Sequence, residues 1–138
     1  MEEPKTLEDN CETLVDWLIG KVNRGEGLSC MAFVNCGKGA IVTIYQIGTV
    51  EESTALAREE LETVFEDVTS YLIAFDGGWY DKSGVEHRAV IVDMEEKISL
   101  LRKRLAFVMQ VSEKGKLSPT GQVLELEPVK WSLFGNPT

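Results

Sequence analysis

"YLIAFDGGWYDKSGVEHRAVIVD", residues 71–93, decides the fold. YLIAF at its start and AVIV near its end are short, uninterrupted apolar runs rich in β-branched and aromatic residues, which is strand composition. Between them Asp81-Lys82-Ser83-Gly84 is a turn signal, and Gly84 offers the positive φ that such a connection commonly requires. The stretch reads as two antiparallel strands, 70–80 and 85–93, joined by a tight loop. Gly77-Gly78 falls inside the first strand, where paired glycines point to a bulge or a close backbone approach.

Further strands follow on the C-terminal side: 103–111 (KRLAFVMQV) and 122–126 (QVLEL), with turn signals at 113–116 (EKGK) and 118–121 (SPTG). The intervening 95–101 (EEKISLL) fits either a helical turn or part of a long strand. The tail, with Trp131 and Phe134, is expected to lay an aromatic or two against the body. On the N-terminal side, 49–68 reads as a helix. Thr49 is its cap, Glu52 completes a capping-box pattern, and Ala57, Leu61, Val64, Phe65 and Val68 form one apolar stripe. Before it, runs 28–35 and 40–47 flank CGKG and read as a hairpin; GKG lacks the remaining residues of a phosphate loop. Residues 6–23 form a first amphipathic helix, capped by Thr6, stopped near Gly25 and Gly27, with Leu7, Cys11, Leu14, Val15, Leu18, Ile19 and Val22 on one stripe.

The order α-β-β-α-β-β-β-β predicts an α+β fold, with residues 1–138 as one domain. The expected form is an antiparallel sheet of five or six strands with two amphipathic helices packed on one face. YLIAF and AVIV present apolar residues to both faces. A sheet covered on one side only would leave the other to a partner subunit, and a homodimer is expected on that ground.

A chain of 138 residues can bury roughly two thirds of its unfolded surface without disulfides or metal. The three cysteines, Cys11, Cys30 and Cys36, are an odd number without framework or zinc spacing, and they read as small buried apolar side chains. No cofactor and no metal is expected. The net charge is −9, and it is uneven. Residues 1–69 carry 5 basic and 14 acidic residues, while residues 70–138 carry 9 of each. Such a surface repels phosphate backbones and anionic bilayers, so neither nucleic acid nor membrane is an expected partner. The acidic N-terminus lacks the apolar core of a secretory signal, and the expected location is cytoplasmic.

Candidate sites are few. A bulge presenting Asp76, Trp79 and Tyr80, with His87 across the hairpin, would make a small ligand pocket in the 76–96 region. His87, the single histidine, beside a carboxylate has the chemistry of a general base. No nucleophile accompanies it: Ser83 sits in the turn and there is no GxSxG. The plainer expectation is a half-exposed strand histidine. Asp93, Glu95 and Glu96 are paired carboxylates of a kind that can do acid–base or metal chemistry, but they read as the polar end of a strand. Glu59, Glu62 and Glu66, on the outer face of the second helix, are the residues expected to meet a basic protein partner. The cationic triplet Arg102-Lys103-Arg104 reads as the guard of an edge strand, or as the match for an acidic helix of a second subunit. Together these features point to a non-enzymatic interaction module acting as a homo-oligomer. The alternative is a small hydrolase or ligand-binding protein using residues 76–96.

Overall fold

A computed structural model describes residues 7–26, 30–37, 39–46 and 48–135. The expected Thr6 cap, the Gly27 stop, positions 28 and 29 of the first apolar run, Lys38 and Ile47 lie outside them. The elements are α1 (Leu7–Asn23), β1 (Cys30–Cys36), β2 (Gly39–Tyr45), α2 (Val50–Thr63), β3 (Ser70–Tyr80), β4 (Glu86–Glu96), β5 (Leu101–Val111) and β6 (Leu117–Leu126). The six strands form one antiparallel sheet in the order β2-β1-β3-β4-β5-β6, and the fold is α+β.

Local chemistry starts and stops these elements. Thr49, in extended conformation, accepts the Glu52 N–H at 3.1 Å and caps α2. The apolar stripe continues through Val64, Phe65 and Val68, yet the helix ends at Thr63. Val64 is its C-cap and points to solvent, and Asp67 takes a left-handed φ of 54° that turns the chain into β3. Gly84 closes the β3–β4 turn with a φ of 80°. The Gly77-Gly78 pair causes no bulge, because the β3–β4 register runs unbroken from Ser70↔Glu96 to Tyr80↔Glu86. Gly77 instead allows close packing: a Cβ there would lie 3.1 Å from Ile91 Cγ1. The register shifts where Phe107 pairs with Val123 and Met109 with Pro119, so the bulge lies at residues 120–122 of β6, and the SPTG segment belongs to that strand.

The two helices lie on opposite faces of the sheet, not on one, and this corrects the sequence-based expectation. Side chains alternate along a strand. Met31, Leu72, Ala74, Val90, Val92 and Met94 pack with Cys11, Leu14, Leu18 and Ile19 of α1. Their neighbours Cys30, Ala32, Val34, Tyr71 and Ile73 pack with Ala57 and Leu61 of α2. Topology accounts for the second placement. β2 and β3 both pair antiparallel with β1, so they run parallel to each other with β1 between them. Parallel strands need a crossover connection. α2 is that crossover, and it packs over β1 as it passes. The face that seemed to require a partner subunit is covered by the chain's own helix.

The C-terminal segment covers part of the α2 face that the helix leaves open, around Tyr71. Trp131 and Phe134 lie 5.8 and 6.5 Å from the Tyr71 ring. Beneath them is a buried carboxylate, Glu95. Its Oε1 accepts from Tyr71 OH at 2.6 Å and the Leu133 N–H at 2.9 Å, and its Oε2 accepts from Ser132 Oγ at 2.7 Å. Burial, reinforced by Glu95, pushes the Tyr71 hydroxyl above its ordinary pKa, so it stays a donor. Two residues away, buried Asp93 takes a bidentate contact from Arg104 at 2.6 and 2.9 Å and a third from Arg58 at 3.3 Å. Buried charges are tolerable only when they are paired and hydrogen-bonded in this way. Asp93→Ala should therefore cost about 3–5 kcal/mol, by stranding two guanidinium groups. Tyr71→Phe, which removes one donor from Glu95, should cost about 1–3 kcal/mol. Urea unfolding midpoints measure both, and a Tyr71→Phe protein as stable as its parent would contradict this account of the network.

Candidate functional site

The four residues of the expected pocket sit at the β3–β4 tip but do not converge. Trp79 and His87 are directly opposite in register and share the α2 face, with ring centroids 5.2 Å apart. Asp76 lies on the other face, where Arg88 grips both of its carboxylate oxygens. Asp76 raises the Arg88 pKa further above its ordinary value. Tyr80 also lies on the Asp76 side and is exposed. His87 Nε2 donates to Asp81 Oδ2 at 2.8 Å. Asp81 Oδ1 accepts the Ser83 and Val85 N–H groups at 2.8 and 3.1 Å. The His87 contact, followed by the Val85 N–H, holds the Asp81 carboxyl below its usual range. Ser83 meets Asp81 through its backbone N–H and is not presented to His87 as a nucleophile. The geometry is that of a turn locked by an aspartate.

Asp93 and Glu95 are chemically richer but face inward, and their oxygens are engaged within the chain. Asp93 lies three residues before the end of β4, and Glu95 and Glu96 close the strand ahead of the turn at 97–100, as the sequence reading has it; what that reading lacks is the burial of Asp93 and Glu95. The triplet on β5 is likewise interior, because β4 and β6 flank it. Arg104 is spent on Asp93, and Arg102 donates to the Val129 carbonyl. Lys103, on the other face, stands 3.7 Å from Glu125. The match was written in the sequence as Asp-x-Glu and Arg-x-Arg on consecutive strands, a spacing that pairs Asp93 with Arg104 and Glu95 with Arg102.

The expected partner-binding acids Glu59, Glu62 and Glu66 are all exposed. Glu62 differs in accepting from Trp131 Nε1 at 2.5 Å, and the Arg58 guanidinium lies 5.7 Å from the centre of the same indole.

Surface concavities lie elsewhere. A cleft of about 350 Å³ opens where the β1–β2 hairpin meets the segment after α2, lined by Cys36, Ile41, Phe65 and Asp67 among others. Two smaller clefts, of about 170 and 270 Å³, adjoin each other beside α1 and share Glu12, Phe107 and Val123. A fourth, of about 20 Å³, lies against Phe134. None of these four is lined by Asp76, Trp79, Tyr80 or His87. Among the described residues no group of three or more histidine, cysteine or acidic side chains is placed to hold a metal ion. No helix among them is long and apolar enough to cross a membrane. No protein-family model matches the chain, and neither a curated protein nor a solved structure matches it.

The two edges of the sheet differ. β6 carries Pro119, the positive-φ Gly121, a bulge and Glu125, which are devices that discourage pairing. β2, GAIVTIY, carries no charge and no proline. Its Val42 and Ile44 are 40% and 42% exposed on the α1 face, beside half-buried Phe33. Edge strands were not distinguishable in the sequence, because the order of strands in the sheet was not.

The local chemistry makes two predictions. The depressed Asp81 carboxyl stabilises the folded turn above the unfolded carboxyl range near 3.9, and that contribution is lost as pH falls through the folded value. An NMR titration should put the Asp81 midpoint below that of a model peptide, and a midpoint at or above it would refute the lock. Burial pushes the Cys30 thiol up to about 12, Cys11 is also buried, and Cys36 is part-exposed in its cleft. A thiol reagent at neutral pH should therefore modify Cys36 first and the other two only on unfolding. Peptide mapping of the modified protein tests this, and early labelling of Cys30 would contradict it.

Proposed function

We propose that this chain is a non-enzymatic interaction module that assembles with a second copy of itself through the free edge of β2. The observation that carries the reading is an uncharged, β-branched edge strand in a molecule of net charge −9. Unpaired backbone N–H and C=O groups along such an edge are a template for another strand. Like-charge repulsion opposes approach over most of this surface and is weakest along GAIVTIY. The strand is also self-complementary. A two-fold axis through Val42 would set Val42 against Val42, Ala40 against Ile44 and Ile41 against Thr43, all small or β-branched pairs suited to a sheet. Exposed apolar surface on the same side of the sheet supports this, since Val42 and Ile44 share the α1 face with Phe33. The hydrolase or ligand-binding alternative draws no comparable support, because Asp76 and Tyr80 lie across the sheet from Trp79 and His87.

Sedimentation-velocity ultracentrifugation provides the test. The protein should sediment as a dimer, and its self-affinity should rise between 0.05 and roughly 0.5 M salt as repulsion is screened. The double substitution Val42→Lys, Ile44→Lys, at positions already open to solvent, should leave a folded monomer. A parent that stays monomeric at high micromolar concentration, or a double variant that remains dimeric, would defeat the proposal.

A further inference from the structure

We infer that the groove between α1 and the β5–β6 half of the sheet is a docking site for a short, basic, amphipathic helix of a partner protein. The geometry begins with widths. Six strands span roughly 24 Å, whereas one helix is about 10 Å across. On the α2 face, the C-terminal segment covers part of what α2 leaves open. On the α1 face, α1 packs on β1 and β3 and reaches β6 near Leu117, where Asn23 exchanges two hydrogen bonds with the Leu117 backbone. Beside the first half of the helix no second layer is laid down by the described residues. The floor there is apolar: Leu105, Phe107, Met109 and Val123, the last 48% exposed.

Charge selects the occupant. The α1 wall of both clefts carries Glu12, and the larger also carries Asp16. These two acids are exposed, stand four residues apart on one flank of the helix, and pair with no described basic side chain. Like charges at that spacing weaken a helix slightly, and an incoming lysine or arginine would relieve the repulsion. Lys103, the groove's cation, already faces Glu125. An apolar floor with an acidic wall fits a helix whose apolar stripe meets the sheet and whose basic flank meets α1, the helix-in-groove mode of recognition. Each cleft is smaller than the roughly 300–1,000 Å³ usual for small-molecule sites, and two adjoining depressions suit successive side chains of one stripe. A second helix beside α1 would also complete an ordinary helix-on-sheet layer.

The test uses the full chain and a synthetic leucine–lysine peptide of about 16 residues, patterned at the helical period, followed by fluorescence anisotropy and amide chemical shifts. Binding should shift resonances at Glu12, Asp16, Phe107 and Val123. Glu12→Lys with Asp16→Lys, and separately Val123→Lys, should each weaken it about tenfold or more. Glu59→Lys with Glu66→Lys should leave it unchanged. A version with glutamate for lysine, and a scrambled one that keeps the charge but loses the stripe, should not bind. Equal binding by either control, shifts confined to α2, or indifference to the groove substitutions would overturn the inference. Val42→Lys, Ile44→Lys protein should bind as the parent does, which separates this result from the fate of the dimer. A dimer broken by the groove substitutions would instead assign the groove to self-association and also overturn the inference.

Discussion

Residues Tyr71, Leu72, Ile73 and Ala74 of β3, and Val90 to Val92 of β4, are almost wholly removed from water on both faces. A strand apolar on alternate residues needs one cover, and a strand apolar on every residue needs two. That requirement governs the architecture. One helix must go to each side, and the chain's connectivity decides which. α2 is tied to its face by carrying the chain from β2 over β1 to β3, so α1 takes the other. The cost of splitting the helices is that neither face receives more than one. Surface near both sheet edges, at Val42 and Ile44 on β2 and at Val123 on β6, stays open to solvent on the α1 side.

The α2 face is finished by polar chemistry. Asp93 and Glu95 interrupt an otherwise apolar run of β4 on that side, and each draws partners from distant sequence: Arg58 from α2, Arg104 from β5, Ser132 and Leu133 from the C-terminal segment. Such groups add little net stability relative to apolar replacements, but they are intolerant of misplacement. A slip of β5 by one residue would turn Arg104 to the opposite face and leave Asp93 buried without its bidentate partner. Asp93 ties β5 in register through Arg104, and Glu95, two residues on, fixes the path of the tail. This explains how residues 131–134 stay against Tyr71 although they join no strand.

Much of this was legible and some was not, for physical reasons. Periodicity of 3.6 in the helices and the runs of β-branched residues gave all eight elements in order, because those signals are local. The errors arose where a distant partner overrode a local signal. Val64 continues the apolar period of α2, but the chain must turn at Asp67 to enter β3. Ser118 to Gly121 has turn chemistry, but Ser118 and Pro119 pair with Gln110 and Met109, and Thr120 and Gly121 become a bulge in the strand. Acids at the end of an apolar run do mark the end of β4, but their burial depends on partners from other elements that the local sequence does not show. In the candidate site, adjacency misled in a simpler way: Asp76 and Trp79 are three residues apart, and an odd separation in a strand means opposite faces.

The two surfaces left by this arrangement lie on opposite sides of α1. Glu12 and Trp17 are five residues apart, about 140° around the helix, so the flank that borders the β5–β6 groove is not the flank that carries the half-exposed indole. β2 is at one margin of the sheet and β6 at the other. Occupation of one surface therefore leaves the other sterically free. The consequence is one of valence: a pair of chains joined at β2 would carry two acidic grooves, and a partner bearing two basic helices would meet an effective local concentration in place of a second bimolecular encounter. Weak individual contacts, which small clefts of this size imply, would then suffice for a durable assembly, and its durability would fall steeply with salt even as pairing through the neutral strand is strengthened by it. If both surfaces are used as proposed, opposite salt responses at the two margins would follow from where the fold has put its charge.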